Sequence, residues 1–190
     1  GHGGVTRGCR RQREMCIRDS GRGAVEIMPL DGTDTTTLSA RVFEDASERD
    51  HWLRAYVRVV FSDPAEAIEI MDLTGPAMSF PVYVEGSTYT EIHAHGFAGE
   101  TGWESVERLP LDEWACVEIH ARYDDGVTAN NGRAELYING VETARGDDIE
   151  FAARADTIRV GSVFADPETG RMQRMMVDEV VASLDRIGCD

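Results

Sequence analysis

A two-sheet antiparallel β-sandwich is the fold this 190-residue sequence predicts. Three observations lead there: a period of two over most of the chain from Val25 onward, turn-rich segments at short and even spacing, and no sustained helical period. The segment 51–61 is the clearest. It places Leu53, Ala55, Val57, Val59 and Phe61 on one face and Trp52, Arg54, Tyr56 and Arg58 on the other, as a half-buried strand requires. Segment 114–123 repeats the pattern. There Ala115, Val117, Ile119 and Ala121 face inward, while Cys116, Glu118, His120 and Arg122 share the opposite face.

The remaining elements follow in order. Strands are expected at 37–43, 67–73, 82–85, 88–94, 134–138, 141–144, 157–163 and 173–183. Asn139-Gly140 favours the two positive φ angles of a type I′ turn, so 141–144 should return as the hairpin partner of 134–138. Turns are expected at Gly75-Pro76, 99–102, 124–132 and 166–170; only 111–114 and 151–154 have room for a helical turn. Trp103 then sits in a glycine-rich loop.

Charge excludes several function classes. The 35 acidic against 19 basic residues give a net charge of −16, which repels phosphate backbones and anionic membranes. No run approaches the roughly 18–20 apolar residues of a membrane helix. Every basic residue is Arg, and residues 1–22 hold six of them: Arg7, Arg10, Arg11, Arg13, Arg18 and Arg22. The run Arg11 to Asp19 has neither strand nor helix period and resembles a translated sequencing-adapter read. Residues 1–20 are therefore expected to be a non-native or disordered segment, with 21–190 a single domain whose true N-terminus, and any signal peptide, lies outside the sequence.

Several motifs in fixed order carry a family resemblance. They are Trp114-x-Cys116-x-Glu118, Glu135-Leu136-Tyr137-Ile138-Asn139-Gly140, Ile158-x-Val160-Gly161, and Val177 to Ser183 followed by Ile187-Gly188-Cys189. From about Asp45 to Cys189 the chain resembles the LamG-type jelly-roll domains of bacterial extracellular proteins, in the concanavalin A-like lectin and glucanase superfamily. The resemblance implies an all-β jelly-roll sandwich, a secreted or cell-surface location within a larger protein, and a sheet face that meets polysaccharide. It does not fix an activity, because one fold hosts lectins, glucanases, lyases and adhesion modules.

Each chemistry has its own residue requirement. The glucanases of this fold carry Glu-x-Asp-x-x-Glu on one strand, with the catalytic carboxyls about 5 Å apart in a retaining enzyme. The nearest acidic strand here has Glu69 and Asp72 three residues apart; strict alternation sends them to opposite faces and argues against that dyad. A polysaccharide lyase needs a Tyr or His base and a group that neutralises a uronate carboxylate. Tyr89, His93, His120 and Arg122 supply those types, and the reading requires them to converge in one groove. Non-catalytic carbohydrate binding asks for accessible aromatics with polar neighbours. Trp103, Trp114 and Tyr137 are the candidates for stacking, with His120 and Arg122 for hydrogen bonds.

The resemblance further implies a structural calcium with Asp178 among its oxygen ligands. Outside the N-terminal segment the chain has two cysteines, Cys116 and Cys189, which in an extracellular domain read as one disulfide. The function expected from sequence is non-catalytic polysaccharide binding. A lyase and a structural or adhesion module without a glycan ligand are the alternatives, and Asp178-bound calcium is the only cofactor expected.

Overall fold

The computed structural model describes residues 15–17, 25–27, 36–43, 48–61, 67–85, 89–96, 99–123, 130–151, 153–165 and 172–189. Of the turn expected at 124–132, residues 124–129 lie outside them and 130–132 open strand β10; the turn expected at 166–170 also lies outside them. The described residues form thirteen strands and no helix. They are β1 (Met15–Ile17), β2 (Val25–Ile27), β3 (Thr36–Arg41), β4 (Asp50–Phe61), β5 (Ala67–Gly75), β6 (Met78–Glu85) and β7 (Tyr89–Gly96). The rest are β8 (Gly99–Glu104), β9 (Ala115–Arg122), β10 (Asn130–Ile138), β11 (Val141–Glu150), β12 (Thr157–Ala165) and β13 (Met172–Ser183).

Two antiparallel sheets result. A seven-stranded sheet runs β1-β13-β4-β9-β10-β11, with β2 also paired to the β1 edge of β13; a six-stranded sheet runs β3-β12-β5-β6-β7-β8. Their inner faces close on one core. Leu53, Ala55, Val57 and Val59 of β4 meet Val117 and Ile119 of β9 on one side, and Ile68, Leu73, Phe80, Val82 and Ile92 line the other. In β4 and β9 these are the positions that the period of two assigns to the interior, and burying them removes their apolar area from water at about 25 cal/mol per Å². The Asn139-Gly140 turn has φ of 50° and 82°, as a type I′ hairpin between β10 and β11 requires.

Four local features bear on the sequence reading. Segments 111–114 and 153–154 are turns and bends rather than helix. Gly99–Glu104 is not a loop but an edge strand on β7, because the Trp103 indole lies over Gly146 of β11 and its neighbours pair with β7. A Cβ at Gly146 would stand 2.2 Å from the Trp103 ring, so only glycine lets the indole seat there. Met15–Ile17, inside the segment without a readable period, pairs with Val180 to Ala182. Finally, β5 contains a bulge: Glu69 pairs with Tyr83 and Met71 with Val82, leaving Ile70 as the extra residue. That one insertion reverses the alternation beyond it and turns Glu69 and Asp72 onto the same outer face.

Candidate functional site

The bulge builds a polar cluster on the outer face of the six-stranded sheet. Across the sheet, Glu69 of β5 stands opposite Tyr83 of β6, Tyr83 opposite Glu91 of β7, and Asp72 opposite Arg159 of β12. His93 and His95 follow Glu91 at strand spacing on the same face. The Tyr83 ring packs edge-on to His93 at 4.9 Å and lies 6.4 Å from His95. His93 Nε2 is 2.6 Å from Glu91 Oε1, and the His93 ring lies against Gly102 of β8, where a Cβ would come within 2.7 Å of it.

Two carboxyls at the centre are strongly perturbed. Asp72 is fully buried; its Oδ1 accepts from Phe80 N at 3.0 Å and its Oδ2 accepts from both Nε and Nη2 of Arg159. Burial nevertheless pushes its carboxyl up, with Arg159 opposing. Glu69 is 6% exposed. Burial, aided by the neighbouring Asp72 charge, raises its carboxyl from 4.5 to about 8, so it holds its proton at neutral pH. Its Oε1 has no hydrogen-bond partner among the described residues; Arg159 comes only to 3.8 Å.

This geometry corrects the expectation that Glu69 and Asp72 face opposite ways. A retaining hydrolytic dyad is still disfavoured, now for a different reason: both Asp72 oxygens are engaged and the side chain is sealed from solvent.

The outer face of the seven-stranded sheet is organised differently. Register aligns Ser183, Trp52, His120, Glu135 and Arg145 across β13, β4, β9, β10 and β11. His120 stacks on Trp52 at 3.8 Å, with Nδ1 at 2.7 Å from Glu135 and Nε2 at 2.9 Å from Asp50. Burial works to raise the Glu135 carboxyl, but hydrogen bonds from His120 and Tyr137 outweigh it and hold that group below its ordinary value. The Tyr137 hydroxyl donates to Glu135 and also reaches Glu142. The C-terminal tail then crosses this face, tied by a Cys116–Cys189 disulfide.

The sequence candidates therefore divide. His120 and Tyr137 are buried in the tail-covered network, and Arg122 is exposed at the end of β9. Trp103 is half-buried against the core edge, and Trp114, just before β9, is 43% exposed. Trp103 belongs to one sheet and Tyr137 to the other, with Trp114 just before β9 of that second sheet, so the three do not form one stacking platform. Nor do the lyase candidates converge: His93 lies on the outer face of one sheet, His120 and Arg122 on that of the other, with the core between. Of Tyr89 only the backbone is described. Asp178, half-buried on β13, accepts from Glu179 N at 2.8 Å where a bulge gives Glu179 a φ of 46°. Among the described residues no group of three or more His, Cys, Asp or Glu is placed to hold a metal ion. Sequence reasoning weighed Glu69 and Asp72 only as a disfavoured dyad and missed Tyr83 and Arg159, whose convergence with them depends on strand register.

These two faces enclosing one core define an all-β, two-sheet antiparallel jelly-roll sandwich. No protein-family model and no curated protein matches the chain. Solved structures do. The alginate lyase vAL-1 from Chlorella virus superposes with a TM-score of 0.63 at 12% identity, covering 90% of this chain and 88% of the lyase. The cellulose-induced protein Cip1 gives 0.62 at 12% identity over 94% and 89%. The receptor-binding domain of botulinum neurotoxin type G gives 0.57 at 11% identity over 92% of this chain and 44% of that one. At such identity the likeness establishes the shared fold.

Proposed function

We propose that this chain binds polysaccharide without cleaving it, through the outer face of its six-stranded sheet, as a concanavalin A-like module related to the LamG type. One observation carries the reading. Tyr83, Glu91, His93 and His95 gather there around a buried carboxyl with an unmet oxygen, whereas the opposite face is occupied by the chain's own tail. A pyranose offers an apolar face to Tyr83 and hydroxyls to the carboxyl and imidazole groups. Trp114 is an accessible aromatic at a second position. The disulfide suits an oxidising, extracellular setting, where polysaccharide is met. Net charge of −16 favours neutral over anionic glycans.

A second reading, polysaccharide lyase, has one observation in its favour. The Glu69 carboxyl keeps its proton at neutral pH and so can donate a hydrogen bond to a uronate carboxylate, with His93 on the same face as a base. A panel of neutral and uronate polysaccharides, read for both retention and new ultraviolet absorbance from unsaturated ends, separates the two. Retention alone supports binding; absorbance that grows with time replaces it by catalysis; silence on both leaves the structural-module reading.

A further inference from the structure

The C-terminal tail lies on the seven-stranded sheet in the manner of a ligand. Past the end of β13 it has no secondary structure, yet Arg186 places its guanidinium 4.2 Å from the Tyr137 ring centre and 5.9 Å from that of Trp52. The same group is 3.7 Å from Glu118 Oε2 and donates to the Gly140 carbonyl at 3.1 Å. Glu118, in the middle of β9, has no solvent exposure. Among the described residues its partners come from the tail: Gly188 N donates to Oε1 at 2.8 Å, Arg186 pairs with Oε2, and Cys189 Sγ touches Oε2 at 4.0 Å. Arg54 completes the dock by donating to the Gly188 carbonyl.

A sheet needing only a cover would put an apolar residue at 118, because burying a carboxylate is costly unless it is paired. What stands there instead is a floor carboxylate, two aromatic walls and a carbonyl at the rim. That combination attracts a cation through charge and ring quadrupole together. We propose that this box is a binding site for an alkylguanidinium or alkylammonium group, filled in this structure by the chain's own Arg186 and latched by the Cys116–Cys189 bridge. The tail acts as a tethered competitor, present at high effective concentration while both its ends are fixed. Opening the bridge with a dithiol converts it to two thiols, the dithiol closing to its cyclic disulfide; one end of the tail is then free and an external cation competes on better terms. The site is independent of the glycan face.

The test uses the full chain and two probes. In Arg186→Ala the thermal midpoint is titrated with methylguanidinium chloride, with methylurea as the neutral isostere and sodium chloride as the ionic control. The expected result is a midpoint below wild type that recovers saturably, half-maximal at about 10 mM or lower. Methylurea and salt should not restore it, and the wild-type midpoint should stay unmoved. Equal effects on wild type and variant, or equal recovery with methylurea, would overturn the box. For the latch, N-acetylarginine amide is titrated into oxidised and dithiol-reduced wild type, with Cys116→Ala/Cys189→Ala as a reductant-free counterpart. Binding at least tenfold tighter in the unlatched forms supports the proposal, while unchanged affinity refutes the latch.

Discussion

Replacing Glu69 by Gln should make the protein more stable at alkaline pH while leaving it nearly unchanged near pH 5. The wild-type carboxyl is neutral in the folded state up to about 8, against an ordinary value of 4.5. Between those two values the folded state binds more protons than the unfolded one, so stability falls as pH rises through that window. Each tenfold change in proton affinity is worth about 1.4 kcal/mol, which sets an upper bound of about 5 kcal/mol once Glu69 is fully ionised. Relaxation and water entry reduce this, and about 2–4 kcal/mol is a realistic figure, or roughly 5–15 °C in midpoint for a domain of this size. Gln has the shape of the protonated acid and cannot ionise, so the variant should lose that slope. The assay is thermal or urea unfolding of both proteins at pH 5, 7 and 9. Parallel pH profiles would refute the claim that Glu69 is buried and protonated.

His51 supplies the opposite slope. It is buried between Phe43 and Tyr123, and burial, with Arg154 adding, lowers it from 6.5 to about 3. The unfolded state therefore takes up the proton first, and stability should fall as pH drops from about 6.5 towards 3; His51→Phe should flatten that acid limb in urea melts. Arg159→Ala strands the sealed Asp72 carboxylate and should cost about 3–5 kcal/mol, whereas Arg159→Ala with Asp72→Asn recovers much of it in the same melts. Gly146→Ala should expel the Trp103 indole, which a fluorescence shift to longer wavelength would report. Reducing the Cys116–Cys189 bridge should lower stability by at most about 4 kcal/mol, and the unreduced mass should show no thiols at those two positions.

The sandwich was legible because alternation is local. In β4 and β9 each inward residue is specified by its own strand, and Asn139-Gly140 names its turn without outside help. The candidate site was less legible because it depends on one inserted residue. Nothing in Glu69-Ile70-Met71-Asp72 marks a bulge: no glycine or proline is present, and Ile70 is as apolar as the strand around it. Only pairing with β6 reveals that Glu69 and Asp72 share a face. Arg159 likewise joins them through the register of β12 on β5, a relation between segments 87 residues apart. Trp103 was misplaced for a similar reason, since its glycine-rich surroundings read as a loop until Gly146 on the facing edge gave the ring a seat. His120 and Tyr137 do carry polar chemistry, as their strand faces indicated, but the tail lies across that face.

The central claim is that polysaccharide meets the outer face of the six-stranded sheet. It is tested most directly by measuring retention of the full chain and of Tyr83→Ala, His93→Ala and Trp114→Ala on a panel of insoluble neutral and uronate polysaccharides, with folding checked by melting. The account predicts retention of the wild type on a neutral glycan, at least a tenfold loss for Tyr83→Ala and His93→Ala, and at most a small change for Trp114→Ala. Retention that survives both sheet-face substitutions, or fails only with Trp114→Ala, would contradict it.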